Sequence, residues 1–71
     1  MSEYSSYELQ EWDYFKEEWV TKRSYPANRY AEDNALFAVR SSRASRLAPF
    51  RLLKDGKAII QDDPASFYDE D

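Results

Sequence analysis

The sequence predicts an α+β fold: one long amphipathic N-terminal helix packed on a small antiparallel sheet or hairpin. Two observations carry that reading. Apolar residues recur at helical spacing between Tyr7 and Arg23, and Asp55-Gly56 separates two short apolar runs. The chain has 71 residues, a length for a single small domain spanning residues 1–71. A chain of that size buries only about 60% of the surface it exposes when unfolded. Its stability margin is therefore thin, and dimerisation would be one route to widening it.

Residues 1–6 read as a frayed leader. Ser5 followed by Glu8 has the form of a capping box, and Glu8 and Glu11 suit the positive end of a helix. A helix over residues 7–23 is predicted. Advancing 100° per residue from Leu9 places Val20, Trp12, Trp19 and Phe15 in one apolar arc of about 140°. This arc is the expected core face. Tyr7, Glu11, Tyr14 and Glu18 fall on the opposite side, where tyrosines suit an interface that uses both an apolar ring and a hydroxyl.

Ser24, Tyr25 and Pro26 end that helix, because proline restricts the preceding residue and lacks an amide donor. Residues 27–33 are read as a helical piece and 35–40 as extended chain, since Ala35, Phe37 and Val39 alternate. The serine-rich stretch 41–46 reads as a loop or a loose helical turn. Residues 50–61 then form a β-hairpin, with Asp55 and Gly56 supplying the positive φ of a type I′ turn. Direct opposition pairs Leu53 with Ala58, Leu52 with Ile59 and Arg51 with Ile60. Asp62, Asp63 and Pro64 open an acidic tail over residues 62–71, in which Phe67 and Tyr68 are the residues suited to docking.

The net charge is −4, but its distribution is more informative. Carboxylates dominate the first twenty residues and everything after Gln61, whereas Arg40, Arg43, Arg46, Arg51, Lys54 and Lys57 concentrate in the middle. The ends can fold against the middle, or either surface can be left for a partner of opposite sign.

Cysteine and histidine are both absent, which excludes disulfides, thiolate nucleophiles, zinc fingers and histidine-based acid–base chemistry. The acidic tail lacks the alternating ligand spacing and central glycine of a calcium loop. No metal, cofactor or catalytic residues are assigned, and the chain is read as non-enzymatic. The start of the chain has neither a basic leader nor an apolar run, and no stretch approaches the roughly 20 apolar residues that span a bilayer. A cytoplasmic setting without membrane association is expected.

Two binding functions follow. The first is a small protein-binding inhibitor, adaptor or assembly subunit acting through the acidic aromatic surface of Tyr7, Glu11, Tyr14 and Glu18. Its partner would be a protein, with a basic or nucleic-acid-binding protein as one case and mimicry of nucleic acid as a subtype. The alternative is binding of a nucleic-acid backbone through Arg40, Arg43, Arg46, Arg51, Lys54 and Lys57.

Overall fold

The computed structural model describes residues 4–45 and 48–65. Arg46 and the tail beyond Ala65, including Phe67 and Tyr68, lie outside them, as does the start of the leader. The chain forms β1 (Tyr7–Asp13), β2 (Glu18–Tyr25), α1 (Ala31–Ser45), β3 (Phe50–Lys54) and β4 (Lys57–Gln61). The strands make one four-stranded sheet in the order β2-β1-β3-β4, antiparallel at every junction. Among the described residues, no helix is long and apolar enough to cross a membrane.

The long N-terminal helix expected over residues 7–23 is not present; that segment is a β-hairpin. The residues that reverse the chain explain the difference. Asp13 Oδ1 accepts hydrogen bonds from the Phe15 N–H at 2.9 Å and the Lys16 N–H at 3.2 Å. The Glu17 N–H donates to the Asp13 carbonyl at 2.6 Å. Glu17 then takes a left-handed conformation at φ 56°. This four-residue loop reverses direction without glycine or proline, so nothing in the sequence interrupts an apparently continuous helical pattern. Once the chain turns there, tyrosine, tryptophan, valine and threonine favour the strands on either side.

Pairing across this hairpin sets Tyr7 opposite Tyr25, Leu9 opposite Arg23 and Trp12 opposite Trp19. Gln10 is opposite Thr21, so Lys22 is an extra residue and makes a bulge in β2. The β3–β4 hairpin turns at Asp55 (φ 52°) and Gly56 (φ 88°), the backbone signs of a type I′ turn. Leu53 is opposite Ala58. A bulge then leaves Ile59 as the extra residue, and the partners beyond it become Leu52 with Ile60 and Arg51 with Gln61. The directly opposed pairs Leu52–Ile59 and Arg51–Ile60 are therefore displaced by one residue.

Helix α1 begins after Asn28, whose Oδ1 accepts the Tyr30 N–H at 2.8 Å. Its carbonyl accepts the Ala31 N–H at 3.2 Å. Glu32 and Asp33 in the first turn and Arg43 in the last complement the helix dipole. Residues 27–30, read as helical, precede the helix; residues 35–40 are helical, not extended, and the helix continues to Ser45 through most of the segment read as a loop or a loose helical turn. The spacing Ala31, Ala35, Val39 buries one stripe of the helix, whereas Phe37 is 70% exposed. Burial thus follows the four-residue spacing and not the alternation of Ala35, Phe37 and Val39.

The stripe packs on β1, β2 and β3 but does not reach β4. Tyr7, Leu9, Phe50 and Leu52 form the core beneath it, with Tyr25, Ala38 and Ile60 partly buried at its margin. Leu52 is fully buried. The expected cluster of Leu9, Trp12, Phe15 and Trp19 does not form: Leu9 belongs to this core, Phe15 is fully exposed at the loop, and both tryptophans are only partly buried. Tyr7, expected to stay accessible, is 5% exposed.

Candidate functional site

Side chains alternate across a strand, and directly opposed residues share a face. Because Tyr7, Leu9 and Leu52 point into the core, Glu8, Gln10 and Trp12 of β1 lie on the other side of the sheet. Register places Trp19 and Thr21 of β2, Arg51 and Leu53 of β3, and Gln61 of β4 with them. The helix covers the opposite face.

The tryptophans form a cross-strand pair next to the β1–β2 loop. Their ring centroids are 5.3 Å apart with an interplanar angle of 72°. Tyr14 meets Trp12 edge-on at 6.4 Å and 82°. Arg51 reaches from β3 over the intervening strand, setting its guanidinium 4.8 Å from the centre of the Trp19 ring. Its Nε donates to Gln10 Oε1 at 2.6 Å, and Gln10 Nε2 donates to Thr21 Oγ1 at 2.9 Å. These contacts link three strands and fix the orientation of the arginine. Such an arrangement can hold an apolar or cationic group against pre-positioned rings.

The end of the sheet carrying the tryptophans is also tied to the segment after β4. The Trp12 N–H donates to the Pro49 carbonyl at 2.9 Å, and the Asp62 N–H donates to the Phe50 carbonyl at 2.9 Å. Asp62 Oδ2 accepts the Phe50 N–H at 3.1 Å, and the Tyr14 hydroxyl donates to the Pro64 carbonyl at 3.0 Å. Asp13, Glu17, Glu18, Asp62 and Asp63 thus lie at the same end of the sheet as the tryptophans, with Asp13 and Glu18 turned to the helix side by register. Among the described residues, no group of acidic side chains is arranged to hold a metal ion.

The four residues expected to make an aromatic, acidic stripe do not share a surface. Tyr7 is in the core. Glu11 lies opposite Val20 and Phe50 on the helix side, lining a groove with Leu9, Arg23, Tyr25 and Phe37. Tyr14 and Glu18 flank the loop at the tryptophan end. The basic residues are divided as well. Arg40 and Arg43 are exposed on the helix, Arg51 is held on the sheet face, and Lys54 opposes Lys57 at the far turn. Sequence reasoning missed Gln10, Trp12, Trp19 and Thr21 as surface residues. Period-two alternation on each side of Asp13–Glu18 was the available signal, and the helical arc masked it.

Neither a family model, nor a curated protein, nor a solved structure matches this chain.

Proposed function

We propose that the protein is a non-enzymatic binding module that engages another protein through the face of its sheet opposite the helix. The observation supporting this reading is the Trp12–Trp19–Arg51 cluster, held by Gln10 and Thr21 on a face the helix leaves uncovered. Tryptophan, tyrosine and arginine supply a large share of binding energy at protein interfaces, the aromatic rings because they offer broad contact area at little cost in freedom. Of the residues expected from the sequence, Tyr14 meets Trp12 in this cluster, whereas register turns Glu18 to the helix side.

Binding of a nucleic-acid backbone has less support. Arg51 is the one basic residue that strand register places on this face among the described residues, and Glu8 shares the face. The other described cations of the set expected from the sequence lie elsewhere, Arg40 and Arg43 on the helix and Lys54 and Lys57 at the far turn. Phosphate binding gains from several cations acting along one track.

Peptide-display selection against the immobilised protein tests the proposal. Selected ligands should perturb the tryptophan emission and bind at least about tenfold more weakly to Trp19→Ala, the loss of one strong interface anchor. Circular dichroism should show that variant to be folded. Ligands bound equally by wild type and Trp19→Ala would remove this face as the contact surface. A labelled single strand of nucleic acid, bound at low salt and released by Arg40→Glu/Arg43→Glu, would instead favour the alternative.

A further inference from the structure

We infer that the partner segment is basic and that an arginine or lysine of it stacks at the Trp12–Trp19 end of the sheet. This inference rests on the reading of the sheet face opposite the helix as a contact surface and adds the chemistry of the occupant.

Charge is the first argument. Among the described residues, Asp13, Glu17, Glu18, Asp62 and Asp63 border the end of the sheet that carries the tryptophans, Asp13 and Glu18 on the helix side by register, against Lys16 and Arg51. Two of these carboxylates also shape the backbone, Asp13 by accepting two loop N–H groups and Asp62 by accepting that of Phe50. Their negative charge is thus fixed in position. It attracts a cationic segment and repels phosphate.

Ring chemistry is the second. The protein already places one guanidinium over Trp19, 4.8 Å from the ring centre, an arrangement stabilised by the negative face of the indole. Trp12, partly exposed and in T-shaped contact with Trp19 and Tyr14, is a second ring of the same kind. Among the described residues, neither indole N–H donates to a protein acceptor. Each can therefore donate to a carbonyl of the incoming segment. A cation-bearing peptide satisfies the rings, the carboxylates and these donors together.

The experiment is an unbiased peptide-display selection against the wild-type chain, followed by affinity measurements at about 50 and 300 mM salt. Enrichment of arginine and lysine is expected, with affinity falling about tenfold or more between those salt concentrations. Glu17→Gln/Glu18→Gln should weaken binding several-fold. Trp12→Leu should weaken it about tenfold, with Trp12→Phe partly restoring it because the ring face returns. Ligands that require Trp12 but lack basic residues and ignore salt would overturn the basic partner while leaving the contact face in place. Ligands indifferent to both Trp12→Leu and Trp19→Leu, in variants shown to be folded, would overturn the face itself. A selection returning no binder above background also counts against the inference. So does sedimentation showing a dimer dispersed by Arg40→Glu/Arg43→Glu, which would make the occupant a second copy of this chain.

Discussion

At the β3–β4 turn, two residues with positive φ solve the same backbone problem by different means. Gly56 has no Cβ, and a Cβ added there would meet no atom within 4 Å. Gly56→Ala is therefore strained by its φ of 88° and not by a clash. A loss of roughly 1–2 kcal/mol is expected in denaturant titrations; an unchanged midpoint would contradict the turn assignment. Asp55 tolerates the left-handed region and is anchored: its N–H donates to the Ser6 carbonyl at 2.9 Å, while its Oδ1 accepts the Ser6 N–H at 3.0 Å. The Ser5 hydroxyl, followed by the Ser6 N–H, holds the Asp55 carboxyl below its ordinary pKa of 3.8, against a smaller opposing effect of desolvation. A lowered folded-state pKa means that this stabilisation is fully present above pH 3.8 and fades as pH falls through the lower folded value. Carboxyl NMR titration should give a midpoint below 3.8 for Asp55, moved upward by Ser5→Ala. A wild-type midpoint at or above 3.8 would show the anchoring to be ineffective.

Among the elements, the short-range turn signal was legible and the longer apolar pattern was ambiguous. Asp-Gly has one dominant backbone use between apolar runs, so the β3–β4 turn could be read from its residues. The β1–β2 reversal depends on the Asp13 side chain and on a glutamate accepting positive φ, neither of which announces a turn. The bulges at Lys22 and Ile59 are invisible to simple alternation, because each adds one residue to only one strand. Of helix α1 only residues 31–33 were read as helical, and the alternation after Asn34 concealed the Ala31, Ala35, Val39 stripe. Ala35 is fully buried on that stripe. Ala35→Leu should force the helix and sheet apart and cost about 1–3 kcal/mol. Thermal or denaturant unfolding of a variant as stable as wild type would reveal room that this packing does not provide.

For the whole molecule, the tryptophans expected to hold the core together lie on the sheet face away from α1, and the core is built from Tyr7, Leu9, Phe50 and Leu52 under the helix. That exchange separates stability from recognition. Leu52 is fully buried on a central strand, so Leu52→Ala should cost about 2–5 kcal/mol through lost burial and a residual cavity. Trp19 is only partly buried; its replacement by alanine removes a ring pair and a cation contact, together worth about 1–2 kcal/mol. The order of the two losses, with Leu52→Ala the larger, is opposite to the order for a tryptophan core. The same architecture sets a gradient of local stability. Strands β1 and β3 are flanked by strands on both sides and covered by the helix, whereas β4 is an edge that the helix does not contact. Opening β4 would break its ladder with β3 while leaving the helix packed on the rest of the sheet. Native-state hydrogen exchange should therefore show the amides of β4 that bond to β3 opening with lower free energies than those joining β1 to β3, which should exchange only when the whole sheet unfolds. Combining this measurement with Leu52→Ala separates the two levels. The substitution should lower the protection of the β1–β3 amides by its full global cost and that of the β4 amides by less. Equal protection throughout both sets in wild type would mean that the edge opens only with the core.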